Sequence, residues 1–371
     1  MAKELALVTG GAGFIGSHLV DALIRDGYAV KVLDNLSRPT HNGKLPPWFN
    51  KKAEFIRGDI RKKSNWEKAL EGVRFIFHLA GYMDTHSDFS TYFTANAAGT
   101  ALMYEVIVEK NLPVKKIIAA SSQSVYGEGK YYCHEYDKLV YPDTRSLTQL
   151  KNNEWEIKCP LDGCIMSPLP ELESDILKPV PPYGASKVAL EQVIFTLGKL
   201  YGIPSVALRY SIAQGARQSF RHFYSGALRS FVVSGLAGTP IPIHEDGKQL
   251  RDFVSVHDLV EAHLTVLKDT RADFEAFNVG RGISITVLEL AAMVAETMDI
   301  KFNPNINGQF RWATVRHSLM DSSKLKALGW KPKKTIKENI KEYISWVTTH
   351  PESKKYLDKT IKDMKEKKML F

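Results

Sequence analysis

Residues 5–27, "LALVTGGAGFIGSHLVDALIRDG", decide the fold. Leu5-Ala6-Leu7-Val8 is the short apolar run that a central parallel strand needs, and Phe14, Ile15, Leu19, Leu23 and Ile24 then recur at helical spacing. Between strand and helix stand Gly10, Gly13 and Gly16, three residues apart. Glycines there permit a tight turn, let the backbone approach a pyrophosphate and bring the helix close to the sheet, while the helix start offers N–H groups to the phosphates. A second strand, Ala29 to Leu33, ends in Asp34 and Asn35. An acid about twenty residues past the glycines accepts both ribose hydroxyls of NAD and repels a 2′-phosphate. Strand, glycines, helix, strand and acid in this order read as a dinucleotide site. A turn-forming role for Asp34 is the plainer alternative, and Arg38 leaves NADP open.

The alternation of strands and helices continues outward. Glu54 to Ile56 leads into "GDI", which places Asp59 and Ile60 where a loop meets an adenine ring. Phe75 to Ala80 reads as a strand ending in Leu79 and Ala80, Asp88 to Lys110 as one long helix containing Asn96, and Lys116 to Ala120 as a strand running into "SSQSVYG", Ser121 to Gly127. Five strands with interleaved helices predict an α/β fold, a Rossmann-type doubly wound parallel sheet whose ligands gather at the carboxyl ends of the strands. After about residue 210 the pattern changes to short strands and helices, predicting a smaller α+β substrate domain. Its elements are expected at Pro240 to His244, Arg251 to Val254, Val256 to Lys268, Thr286 to Met298 and Thr335 to Thr348.

Composition narrows the function classes. The 371 residues are 44% hydrophobic and 25% charged, an ordinary soluble balance. The formal charge of +9 raises nucleic acid as a partner, but part of the excess lies beyond Pro351, where seven lysines mix with acids as on a solvated helix. No apolar run reaches a membrane-spanning length. The start runs directly into a strand, so a cytoplasmic protein without a signal peptide is expected.

In "PPYGASKVALEQVIFTLGKLYG", Tyr183 and Lys187 are four residues apart on one helical face. A neighbouring ammonium and a positively charged nicotinamide both favour the tyrosine phenolate, which then serves as a base near neutral pH. Taken with the glycines, Asp34, "HLAG" (His78 to Gly81), Asn96 and "SSQSVYG", the pair resembles the extended short-chain dehydrogenase/reductase family, and within it the nucleotide-sugar epimerases and dehydratases. The resemblance spans about residues 4 to 347 and continues in "LRYSIAQGARQ", "RDFVSVHDL", "FNVG" and "DSSKLKALGW".

That resemblance implies Ser122, four residues before Tyr126, as the hydroxyl that hydrogen-bonds the reacting sugar oxygen. It implies Tyr183 as acid/base, Lys187 on the nicotinamide ribose and Tyr210 near the cofactor. Arg251 and Arg311 match positions that contact a substrate diphosphate, and Met83, Arg217 and Tyr224, with Tyr82, His86 and Gln214, are candidates for the sugar pocket. Where dehydratases of the family carry acids after the serine, Gln123 and Ser124 stand here, which disfavours elimination and favours epimerisation, most simply at C4 of a nucleoside-diphosphate hexose or 6-deoxyhexose. Another reaction on a nucleotide sugar (3,5-epimerase, reductase, decarboxylase or 4,6-dehydratase) stays open, as does a non-catalytic NAD sensor. Ser211-Ile212 and Ala313-Thr314 depart from the family pattern and put the sugar in doubt. A homodimer is the family habit.

The domain expectation is 1–210 for NAD, with an insertion at about 128–180, then 211–350 mainly for substrate with segments returning to the first unit, then a basic tail at 351–371. The insertion holds Cys133, beside His134, and Cys159 and Cys164 in "CPLDGC". A structural zinc is one reading; buried free thiols are the other, and a disulfide is disfavoured in a reducing compartment. The insertion resembles that of a dTDP-rhamnose 4-epimerase-like subgroup.

Overall fold

The computed structural model describes residues 3–38, 40–84, 87–221 and 226–354. Its first strands are β1 (Leu5–Thr9), β2 (Ala29–Asp34), β3 (Glu54–Arg57), β4 (Phe75–His78) and β5 (Lys116–Ser122), followed in the insertion by β6 (Lys130–Cys133), β7 (Lys138–Val140) and β8 (Ser167–Leu169). The remainder are β9 (Ser205–Tyr210), β10 (Ile212–Gln214), β11 (Ile241–Ile243), β12 (Leu250–Ser255), β13 (Ala276–Val279), β14 (Ser284–Thr286) and β15 (Pro304–Ile306).

Seven of them form one parallel sheet in the order β13-β9-β5-β4-β1-β2-β3. Five were expected; β9 and β13 extend the sheet from far along the chain. Every residue of β9 is buried, as a strand covered on both faces requires. One face packs under helices Phe14–Arg25 and Val256–Lys268, the other under Lys63–Ala69, Gly99–Glu109 and Pro182–Tyr201. The strand order reverses between β1 and β4, so the glycine turn after β1 opens at the sheet's switch point.

The helix expected over Asp88 to Lys110 is broken into Phe89–Phe93, a π segment Thr94–Ala98 and Gly99–Glu109. The wide turn carries buried Asn96 out of the regular ladder. Thr286 and Thr335, expected inside helices, are N-caps instead, each closing a capping box with the glutamate three residues on.

The second half surrounds its own apolar cluster with the sheets β10-β12-β14 and β11-β15 and three helices. The insertion folds as an antiparallel sheet, β7-β6-β8, over a cluster of only five buried residues, two of them cysteines. Among the described residues, no helix is long and apolar enough to cross a membrane.

Candidate functional site

A cleft of about 1080 Å³ runs from the glycine turn, past Ser122 and Tyr183, to Arg251 and Arg311. At its first end Gly10 has φ +68°, and a Cβ there would stand 2.9 Å from the Ala80 nitrogen. A Cβ on Gly16 would stand 2.3 Å from the Gly10 oxygen. The turn therefore exists only with bare glycines, and it leaves a cradle at the start of a helix. Gly13, Phe14, Ile15, Asp34, Asn35, Asp59, Ile60, Leu79 and Ala80 line the same end. The Asp34 carboxylate accepts from Ala12 N–H at 3.1 Å and Leu36 N–H at 2.8 Å, which fixes the turn against the end of β2. Arg61 pairs with Asp59 and holds its carboxyl below the usual range. The bare cradle, the helix start and the acid beyond it fit a dinucleotide.

At the middle of the cleft β5 ends in Ser122, whose Oγ accepts from Ser124 N–H at 3.2 Å. Tyr183 enters from the start of helix Pro182–Tyr201 and lines the cleft. One turn on, Lys187 is buried behind that wall, its Nζ donating to Ala120 O at 2.8 Å and lying 5.8 Å from the Tyr183 ring centroid. Burial pushes the Lys187 ammonium down to about 8. Asn96 also stands behind the wall. It accepts from Tyr82 N–H at 2.7 Å and donates to Tyr82 O at 3.0 Å and Ser186 Oγ at 2.8 Å, tying the loop after β4 to the helix of Tyr183. The Tyr210 ring lines the cleft, and its hydroxyl meets His263 Nε2 at 2.8 Å. His263 Nδ1 lies 2.9 Å from Leu259 O, so Nδ1 carries the proton and Tyr210 donates.

Ser121 donates to buried Glu191. Glu191 holds Arg209 through two bonds, at 2.9 and 2.7 Å, and Arg209 donates to the Tyr126 hydroxyl at 2.8 Å. This network anchors the segment after Ser122 from below. The Gln123 amide oxygen accepts from Ser318 Oγ at 2.8 Å.

At the far end the Arg251 guanidinium donates to Leu250 O, Arg316 O and Val315 O, each at 2.8 Å. Arg311 and Met83 line the cleft with it. Arg217 does not: its Nη1 pairs with Asp21 at 2.8 Å on helix Phe14–Arg25. Gln214 is fully buried, away from the lining. Tyr224 and His86 lie outside the described residues.

Sequence reasoning missed what holds the far end. Arg145 forks onto Glu245 at 2.8 and 3.0 Å and reaches Thr314 O at 2.9 Å. Arg316 donates to Glu156 and, at 2.9 and 2.8 Å, to Glu245 and Asp246, while its own backbone N–H donates to Glu128 at 2.8 Å. Leu250 N–H donates to His317 Nδ1 at 3.1 Å, so the proton sits on Nε2, which donates to Glu156 at 3.0 Å. His317 and Arg316 hold the Glu156 carboxyl down to about 2. Scattered single charges gave no sign of this. Alternation would have shown one further set, since Asn305, Asn307, Gln309 and Arg311 face the cleft at every second residue.

The three cysteines converge. Cys133 Sγ lies 3.5 Å from Cys159 Sγ and 3.6 Å from Cys164 Sγ, whereas the exposed His134 bonds Ser167 Oγ at 2.9 Å instead.

The profile of the NAD dependent epimerase/dehydratase family matches residues 6–146 and 164–280. A dTDP-L-rhamnose 4-epimerase of Burkholderia thailandensis is 32% identical over 92% of this chain and 94% of its own length. A CDP-paratose 2-epimerase of Salmonella typhi is 29% identical over 92% of this chain and 99% of its own. Among solved structures, a UDP-glucose 4-epimerase of Thermotoga maritima with UDP-glucose superposes with a TM-score of 0.77 at 29% identity, covering 93% of this chain and 99% of that one. The Thermus thermophilus UDP-glucose 4-epimerase complex with NAD gives 0.74 at 27% identity over 93% and 99%.

Proposed function

The chain belongs to the NAD-dependent epimerase/dehydratase family, and from that premise we propose its reaction in detail. The enzyme is an NAD-dependent nucleotide-sugar epimerase, and the carbon inverted is C4 of a nucleoside-diphosphate hexose or 6-deoxyhexose. NAD takes the glycine cradle, with Asp34 on its adenosine ribose, and supplies a reversible hydride acceptor. Tyr183 removes the proton of the sugar hydroxyl as that carbon is oxidised, while Ser122 hydrogen-bonds the same oxygen. The charge of Lys187 and the backing of Asn96 keep the phenolate in place. The keto sugar turns in the cleft with its diphosphate held by Arg251 and Arg311, and Tyr183 returns the proton once the other face has been reduced.

One observation carries the choice of epimerisation. Beside Ser122 and Tyr183 the cleft presents the amide of Gln123, held by Ser318, and the hydroxyl of Ser124, where elimination needs a carboxylate. The testing experiment incubates the protein with uridine-, deoxythymidine-, guanosine- and cytidine-diphosphate sugars without added reductant and resolves products by proton NMR. An isomer of equal mass is expected; loss of water or carbon dioxide overturns the reading.

Residues 1–210 form the NAD unit, 211–350 mainly the substrate unit, and 351–371 a basic tail. The enzyme works in the cytoplasm as a homodimer through the helices of Asn96 and Tyr183, where Phe89 and Phe93, one turn apart, are 57% and 42% exposed. Zinc sits on the cysteine trio.

A further inference from the structure

We propose that Cys133, Cys159 and Cys164 form an exchangeable zinc site whose occupancy sets the affinity of the distant cleft end for a nucleoside diphosphate. The metal half of this proposal stands on the cysteines alone; the coupling half rests on the nucleotide-sugar reading.

Their sulfur atoms all lie within 4.8 Å of one another. Zinc–sulfur bonds of about 2.3 Å at tetrahedral angles separate sulfurs by about 3.8 Å, close to the observed 3.5 and 3.6 Å. A disulfide requires about 2.05 Å and would leave the third thiol stranded beside it. Cys133 closes strand β6 at the start of its hairpin to β7, opposite Lys138. The second turn closes on itself through Cys159 N–H to Cys164 O at 2.8 Å and Gly163 N–H to Cys159 O at 2.9 Å, which brings Cys159 and Cys164 round to the same point. Binding forms three zinc–sulfur bonds and releases the thiol protons to solvent. Among the described residues no fourth histidine, cysteine or carboxylate atom joins the group, so water completes the tetrahedron and the ion exchanges more readily than in a closed site.

The site has mechanical work to do. Five buried residues are too few to hold an independent lobe, so a metal staple supplies what its core lacks. That lobe meets the far end of the cleft at several points, and one of them is a short run that starts in the cysteine cluster. Ile157 belongs to the cysteine cluster, and Glu156 beside it holds Arg316 and His317. Val315 and Arg316 in turn supply the carbonyls that aim the Arg251 guanidinium. Loosening the lobe therefore releases the strap that positions Arg251.

The test uses the full-length chain. Zinc is quantified after purification and again after chelation and return of zinc chloride, and cobalt(II) replaces it to reveal thiolate charge-transfer absorption. Uridine diphosphate and deoxythymidine diphosphate binding is measured by calorimetry in each state. The expected results are one zinc per chain, a cobalt spectrum lost in Cys164→Ser, and diphosphate affinity at least about fivefold weaker without metal. Glu156→Gln should weaken diphosphate binding while retaining zinc, which separates the relay from the staple should the cysteine variant fold poorly. Three thiols that titrate freely at all zinc concentrations, or a disulfide in protein purified under mildly reducing buffer, overturn the site. Bound zinc with unchanged affinity for both diphosphates overturns the coupling, whatever the outcome of the sugar panel.

Discussion

The wall that carries Tyr183 and the wall that carries Arg251 face each other across one cleft but are held by different means. Behind Tyr183 the fixings are mostly bonds of neutral or lone cationic groups, Asn96 to Tyr82 and Ser186 and Lys187 to Ala120, with one buried ion pair, Glu191 with Arg209. Behind Arg251 they are a mesh of opposite charges, Arg145, Arg316, Glu128 and Glu245 buried and Glu156 and Asp246 half-buried, drawn from three separated segments. The first wall stands on the ends of neighbouring strands of the parallel sheet and on the helices packed against them. The second is only as well placed as its partners, since a buried charge that loses its counterpart is strongly destabilising. On the proposed function, chemistry sits on the first wall and substrate grip on the second.

The sharpest test of the first wall is Tyr183→Phe, which removes one hydroxyl and should leave folding intact. Turnover is expected to fall about 10² to 10⁴-fold with diphosphate binding unchanged. Intact turnover breaks the assignment of chemistry to this wall. Next, Gly16→Ala forces a methyl within 2.3 Å of the Gly10 oxygen, and purified protein should lose its NAD and about 1–3 kcal/mol of stability in denaturant titration. On the second wall Arg251→Lys keeps charge but not the fork that three carbonyls hold, so KM should rise about tenfold while kcat stays within about twofold.

The mildest perturbation is pH, read on the first wall. Lys187 has a folded-state value near 8, below the roughly 10.4 of an unfolded chain, so folding releases its proton between the two. In that window stability should rise with pH, because the unfolded state binds the extra proton. kcat/KM should fall as pH rises through about 8, since an uncharged Lys187 no longer favours the phenolate. A rate profile flat to pH 9 would remove the lysine from the mechanism.

How much was readable in advance follows from the same contrast. The glycine turn, Asp34 and the Tyr183–Lys187 pair are local patterns, in which spacing along the chain fixes spacing in the molecule. The mesh around Arg251 is not, since Arg145 and Glu245 stand far apart in sequence and neither looks unlike a surface residue. Arg217 was drawn toward the cleft by its motif and went to Asp21 instead, because the backbone there turns through φ 66°. The π turn at Asn96 was invisible because apolar periodicity continues across it. The cysteines announced themselves, but their meeting depends on a hairpin that composition does not encode.

The pairing of β5 with β9 has a consequence for how the chain is made. Ser122 lies opposite Tyr210 in that register, and about eighty residues separate the two strands. A ribosome delivering the chain from its start must therefore hold β5 with one edge unpaired until β9 has emerged, past the insertion and the helix of Tyr183, a period in which that edge invites other strands. On the proposed zinc site, an insertion that closes early on the metal shortens the loop still to be closed. Metal supply during synthesis would then govern the yield of soluble enzyme.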